Sequence, residues 1–158
     1  YICNLCEKVH ACDIDERITS KKAMAEEILK DFGPVDAGIL LEYAGKPRLS
    51  LQDITKTTYH SGMFDLIICI SALEYLPNKQ ILAALSEFKR ILKDGGLIAI
   101  TLDYPVLEIK TLNRMLQGSG LTYASEVNFE LPCNALNTDI YACGLYSFRA
   151  LLKKAENP

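Results

Sequence analysis

The sequence predicts an α/β fold: a doubly wound, mostly parallel sheet that finishes in an antiparallel edge pair. Three observations carry this expectation. Phe64–Ser71 is a nearly continuous apolar run, as in a strand buried on both faces of a helix-covered parallel sheet. Just after it, Ile81, Leu82, Leu85, Phe88, Ile91 and Leu92 recur at the helical period. From Leu121 onward the pattern changes to two longer alternating stretches, Leu121–Leu131 and Ile140–Leu152, joined by Pro132–Asp139.

A chain of 158 residues is expected to form a single domain, residues 1–158. Its 49% hydrophobic and 23% charged residues fit a packed core and exclude disorder or low complexity. Seventeen Lys and Arg against 20 Asp and Glu give a net charge of −3, the wrong balance for a protein that works through phosphate contacts, so no nucleic-acid partner is expected. No apolar run approaches the roughly 18 residues that span a bilayer, so no membrane partner is expected either. The chain opens in mid-pattern at Tyr1-Ile2-Cys3, without an initiator Met or a signal-type segment, and reads as N-terminally incomplete.

Along the chain, Val9–Asp13 is a short strand ending in acid, and Ile14-Asp15-Glu16-Arg17 turns into a helix capped by Thr19 or Ser20. Ala25, Ile28, Leu29 and Phe32 share one face of that helix, and Gly33-Pro34 stops it. Residues 35–44 fit one or two further helical turns better than a strand. Leu49–Gln52 alternates as a strand and runs into Asp53. A polar loop over Thr55–Gly62 precedes the apolar run. Pro77-Asn78 opens the next helix, Lys89, Arg90 and Lys93 favour its C-terminus, and Gly95-Gly96 ends it. Leu97–Leu102 is a further buried strand, ending in Asp103. Pro105 suits the first turn of a helix that reaches about Gln117 and is broken by Gly118 and Gly120.

Cys12 and Cys69 lie in strand-like runs where a thiol acts as a small hydrophobe, so free thiols and a cytoplasmic location are expected rather than disulfides. Cys3-x2-Cys6, with His10 and Cys12 behind, has half the pattern of a zinc site. Because His10 and Cys12 alternate with Val9 and Ala11, a helix end running into a strand accounts for the same residues, and no metal is expected.

In open α/β sheets, ligands bind at the carboxyl ends of the strands. Asp13, Ser71 and Asp103 end three predicted strands, and Asp53 follows a fourth. One acid at such a tip can accept from ribose hydroxyls, and a second, one strand on, from an adenine amine. Each Asp alone reads more readily as a turn or helix cap; their order together suits an adenine nucleoside.

The stretch Phe64-Asp65-Leu66-Ile67-Ile68-Cys69-Ile70-Ser71-Ala72-Leu73-Glu74-Tyr75-Leu76-Pro77 resembles the fourth strand and following loop of class I S-adenosylmethionine-dependent methyltransferases. Leu85–Pro105, with Lys93-Asp94-Gly95-Gly96-Leu97-Ile98, resembles their next helix and fifth strand. Val9–Ile14 resembles the second strand with its ribose-binding acid, and Gln52-Asp53-Ile54 the adenine site. The resemblance covers about residues 8–105 well and the tail loosely. It implies a Rossmann-like sheet of the seven-stranded type, methyl transfer to a small-molecule acceptor, and S-adenosylmethionine as cofactor. It also implies roles. Asp13 would hold the ribose, with Ile14 packed on the adenine; Asp53 would take the adenine amine, with Ile54 beside it. Ser71 and Leu73 would line the methionine side, partly through backbone groups. Glu74, Tyr75 and Asp103 would face the acceptor, as would Tyr104. Many members carry His where Tyr75 stands. His10, in mid-strand, and His60, in a loop, are weaker candidates for acid–base work.

The family's first strand and glycine-rich loop would precede Tyr1, which places the start of the parent chain roughly 40–60 residues earlier. That strand would lie between those carrying Asp13 and Ser71. Two other readings stay open: a non-catalytic binding or assembly domain of the same fold, and a nicotinamide enzyme, which shares the acid after the second strand but not the Leu73–Pro77 phrase. The acceptor atom and the oligomeric state are not legible in the sequence.

Overall fold

The computed structural model describes residues 2–20, 22–27, 29–30, 33–34, 46–135, 137–138 and 144–156. They fall into two compact units, Tyr1–Ile54 and Thr55–Pro158.

The first unit is built on two parallel strands. A short helix, α1 (Ile2–Leu5), leads into β1 (His10–Asp13), so the Cys3–Cys12 stretch is a helix end followed by a strand. β1 pairs in parallel with β2 (Arg48–Leu51), with His10 opposite Arg48 and Asp13 opposite Leu51. The ladder continues past the strand ends: Arg48 N donates to Val9 O at 2.9 Å and Gln52 N to Asp13 O at 2.8 Å. After β1 the chain makes a 3-10 turn, Glu16–Thr19, capped by the Asp15 carboxylate, which accepts from Arg17 N at 2.9 Å. Hydrogen bonds from the Arg17 side chain hold the Asp15 carboxyl down at about 2. Ser20 then caps the helical residues 22–27 and 29–30, its Oγ accepting from Ala23 N at 3.2 Å. Gly33, at φ +77°, takes the left-handed conformation that suits a helix stop; residues 31–32 and 35–45 on either side of Gly33-Pro34 lie outside the described residues. Residues 28, 32 and 35–44 lie outside the described residues, and with them two members of the expected apolar face and the ambiguous segment.

The second unit is a five-stranded sheet in the order β3-β4-β7-β5, with β6 also on β7. β3 (Phe64–Ile70) and β4 (Leu92–Tyr104) are parallel. β7 (Leu145–Lys154) runs antiparallel to β4, to β5 (Leu121–Tyr123) and to β6 (Asn137–Thr138). Helix α2 (Asn78–Ile91) follows β3, and α3 (Ile109–Ser119) follows β4. The mixed sheet with antiparallel edge strands is the fold class expected.

The core forms where the helical stripe meets one side of the sheet. Ile81, Leu85, Phe88 and Ile91 of α2 and Leu112 and Leu116 of α3 are buried. So are Ile98, Ile100 and Leu102 of β4 and Leu152 of β7, which pairs with Ile98. Burying each such side chain contributes about 1.5–3 kcal/mol. The other half of the alternation differs. Leu66, Ile68 and Ile70 are 44%, 39% and 65% exposed. β3 is therefore not buried on both faces as its composition suggested; among the described residues it pairs only with β4, and only Cys69 of its seven residues is buried.

Element boundaries depart from expectation at three glycine or proline positions. Helix α2 ends at Ile91, with Leu92 N donating to Phe88 O, before the glycine pair is reached. Gly95, at φ +78°, and Gly96 serve the irregular start of β4, where the register slips between Phe64 opposite Leu92 and Leu66 opposite Leu97. A Cβ on Gly96 would lie 2.8 Å from Leu92 Cδ1 and 3.0 Å from Asp65 O, so no side chain fits. Pro105 does not open a helix: Leu107 N turns back to Asp103 O at 3.2 Å, and α3 begins at Ile109. It runs through Gly118, one of the two expected breaks, to Ser119 and ends at the other, Gly120, in the left-handed conformation. In the tail, only Leu121–Tyr123 of the first expected long strand is strand; 124–135 is irregular, and 139–143 lie outside the described residues.

Candidate functional site

In the first unit, the pairing of β1 with β2 brings two predicted acids to the same end of adjacent parallel strands. Asp13 is the last residue of β1, and Asp53 stands two residues beyond Leu51, its register partner. Both are exposed, as is Ile14 at 70%, while Ile54 is half-buried. One Asp13 oxygen, Oδ1, accepts from Asp15 N at 3.0 Å in a local turn. The second oxygen has no partner among the described residues, which leaves it able to accept from a diol. The acceptor set suits the nucleoside expected there: exposed carboxylates with apolar neighbours in sequence at Ile14 and Ile54.

In the second unit, the tips of β3 and β4 form a tight polar cluster. Ser71 follows the last residue of β3 with φ +43°, a left-handed conformation that costs a non-glycine residue about 1–2 kcal/mol. Its backbone N–H holds it there, donating to Thr101 O at 3.0 Å and to Thr101 Oγ1 at 3.1 Å. Its hydroxyl lies 3.5 Å from Asp103 Oδ1. Such strain in a non-glycine residue is characteristic of sites where backbone must be aimed. The chain then makes a 3-10 turn, Leu73–Tyr75. Leu73 is fully buried, so its side chain belongs to the core and only its backbone is available for lining a site.

Glu74 differs from its expected role. It is 8% exposed and turned inward, with Oε1 accepting from the backbone N–H of Asp103 at 2.9 Å. It therefore ties the loop after β3 to the end of β4 instead of facing an acceptor. Tyr75, by contrast, is 70% exposed, Asp103 is half-buried, and Tyr104 is 37% exposed. His10 starts β1 in the first unit, and His60 is exposed in its loop. Among the described residues, no three His, Cys, Asp or Glu side chains are arranged to hold a metal, and Cys3, Cys6, Cys12, Cys69 and Cys133 form no disulfide. No helix among the described residues is long and apolar enough to cross a membrane.

A second feature had no signal in the sequence. A cavity of about 940 Å³ opens beside Tyr104, between the start of α3, the segment 128–135 and the middle of β7. Phe129 and Phe148 stack in its wall, with ring centroids 6.5 Å apart and planes 12° apart. Its lining comes from three stretches that the alternation pattern assigned to different elements, which is why no local motif announces it.

Comparison with known proteins gives the same fold and names a family. A family model described as a methyltransferase domain matches residues 1–100. An S-adenosylmethionine-dependent methyltransferase from Clostridium acetobutylicum ATCC 824 superposes with a TM-score of 0.67 at 14% identity, over 98% of this chain and 78% of that one. A second from Methanosarcina mazei gives 0.64 at 14% identity, over 99% and 86%. Magnesium protoporphyrin IX methyltransferase from Synechocystis PCC 6803, solved with S-adenosylmethionine bound, gives 0.57 at 15% identity, over 95% and 62%. No curated protein matches the sequence. At these identities the structural likeness speaks for the fold, and the family match, which covers well over half of the chain, speaks for the family. With acids at adjacent strand tips in the first unit and a strained serine at a strand tip in the second, the chain belongs to the methyltransferase domain family.

Proposed function

We propose that the chain transfers a methyl group from S-adenosylmethionine to a small-molecule acceptor by in-line displacement. The observation that carries this reading is the placement of Asp13 and Asp53 at the same end of adjacent parallel strands, in a chain of the methyltransferase domain family. In the first unit, Asp13 accepts from the ribose hydroxyls and Asp53 from the adenine amine, with Ile14 and Ile54 against the base. In the second, the backbone at Ser71 and Leu73 serves the amino-acid end, and Tyr75 faces the acceptor.

When bound, the cofactor's sulfonium supplies an already activated methyl group, so alignment with the acceptor is most of what the reaction requires. A base matters where the acceptor is a hydroxyl or amine that must lose its proton as the new bond forms. Asp103 is the group assigned to take that proton, at its carboxylate. Glu74 acts through Asp103: by holding its backbone N–H, it fixes where the carboxylate begins. A small molecule as acceptor agrees with the net charge of −3, which disfavours a polyanionic substrate.

The test is calorimetric titration with S-adenosylmethionine and, separately, with NAD. Saturable binding of the first and none of the second is expected. The opposite pattern would replace methyl transfer with the nicotinamide reading.

A further inference from the structure

We infer that the cavity beside Tyr104 binds the acceptor, and that it selects a flat aromatic body carrying hydrogen-bond-accepting oxygens, such as a phenolate, carbonyl or carboxylate. This rests on the methyl-transfer reading for the word acceptor; the cavity's chemistry stands on its own geometry. Its volume of about 940 Å³ sits at the upper end of the roughly 300–1,000 Å³ usual for small-molecule sites. That exceeds what a methyl acceptor of a few atoms would fill.

The walls set the shape of the ligand. Phe129 and Phe148 present nearly parallel faces, and Tyr123 meets Phe129 edge-on, with centroids 5.8 Å apart and planes at 67°. Tyr104 and Tyr146, which also line the cavity, are register partners across the β4–β7 ladder, so a rigid sheet fixes their spacing. Phe129 is 52% exposed although it sits against two other rings. A flat apolar ligand covers such rings with favourable stacking; a flexible chain pays more entropy for the same area.

The polar groups set its chemistry. Asn113 Oδ1 accepts from the Tyr123 hydroxyl at 2.7 Å. Burial pushes the Tyr123 phenol up to about 12, so that proton stays in place. Asn128 Oδ1 accepts from Glu130 N at 2.9 Å, a bond that only the amide oxygen can make. With both carbonyl oxygens engaged, each asparagine is left with its NH2 as a donor. Lys110 and Arg149 also line the cavity, can only donate, and form no ion pair among the described residues. Glu108 and Glu130 offset these two cations in number, so the lining favours oxygens that accept hydrogen bonds over a polyphosphate. Tyr104 adjoins Asp103, so a ligand here lies at the end of the strand that carries the assigned base.

The probe is 2-naphthoate, titrated into the protein by naphthalene fluorescence; the chain has no Trp, so the signal is the ligand's own. One saturable site is expected. Decanoate, which keeps the carboxylate on a flexible chain, should bind at least about tenfold more weakly. Phe148→Leu, which keeps apolar bulk without the ring, should weaken naphthoate about fivefold, while Phe148→Tyr holds it within about twofold. Asn113→Leu should weaken it about fivefold through the lost donor. Ile68→Ser, on the exposed side of β3, should leave it unchanged; circular dichroism confirms that each variant is folded. Equal binding of decanoate and naphthoate, or loss of binding in Ile68→Ser with none in Phe148→Leu, would overturn the assignment. Titration with S-adenosylmethionine separates the two readings. Cofactor binding without naphthoate binding overturns the cavity assignment alone, and naphthoate binding without cofactor binding overturns methyl transfer alone.

Discussion

Glu74 and Asp103 are joined by a single hydrogen bond, from the backbone N–H of Asp103 to Glu74 Oε1 at 2.9 Å, which ties the turn after β3 to the tip of β4. The other Glu74 oxygen, Oε2, is buried without a hydrogen-bond partner among the described residues. A buried acceptor left unmatched costs about 1–3 kcal/mol. The bond to Asp103 therefore has to outweigh a cost within the same side chain.

The first expected outcome follows from that balance. Glu74→Gln keeps a carbonyl oxygen for Asp103 N and removes the risk of a buried charge, so its stability in urea should stay within about 1 kcal/mol of the parent. Glu74→Ala removes the bond and leaves a void, and should cost about 2–3 kcal/mol. Equal losses in the two variants would show that packing alone accounts for Glu74.

Glu87 gives a pH signature. Arg90, 2.6–2.7 Å from its oxygens, together with the Thr57 hydroxyl and backbone N–H, holds its carboxyl near 2 against a usual value of 4.5. The folded value is the lower one, so the stabilisation is fully present above about 4.5 and is lost as pH falls towards 2. Glu87→Gln should destabilise the protein by about 2 kcal/mol at neutral pH and flatten the acid limb between those values, read by denaturation at a series of pH values. An unchanged acid limb would remove Glu87 as its source.

The glycine pair at the irregular start of β4 should be intolerant for two different reasons. Gly96→Ala puts a methyl group 2.8 Å from Leu92 Cδ1 and 3.0 Å from the Asp65 carbonyl, and should cost about 2 kcal/mol through overpacking. Gly95→Ala meets no atom within 4 Å, yet its φ of +78° should cost about 1 kcal/mol. Thermal denaturation distinguishes them: enlarging the space with Leu92→Ala should make the additional cost of Gly96→Ala smaller and leave that of Gly95→Ala unchanged.

Much of this architecture could be read from local pattern. The α2 stripe, the apolar runs of β3 and β4, the Ser20 cap and the Gly120 stop each rest on composition or contacts within a few residues or on one period. What escaped depends either on partners distant in sequence or on local turns that override a propensity. The apolar run of β3 reads as buried on both sides, but burial is decided by what lies beside it, and Ile70 is 65% exposed. Pro105 fits a helix start by its ring, yet the turn from Asp103 to Leu107 delays the helix to Ile109. The direction of Glu74 cannot be told from its neighbours, because a 3-10 turn places successive side chains on different sides. The first long strand of the tail stops at Tyr123, and the chain beyond it turns locally where Asn128 Oδ1 accepts from Glu130 N. At the candidate site, the strand-tip acids were legible because strand endings are local. The aromatic cavity was not, since its rings come from residues as far apart as Tyr104 and Phe148.

The most direct test of the account is S-adenosylmethionine affinity in Asp13→Ala and Asp53→Ala, measured by calorimetry beside the parent protein. Each carboxylate is expected to contribute a charged hydrogen bond of about 1.5–3 kcal/mol, so each variant should bind about tenfold to a hundredfold more weakly while keeping its fold. Parent-like affinity in both variants would contradict the placement of the nucleoside at the tips of β1 and β2.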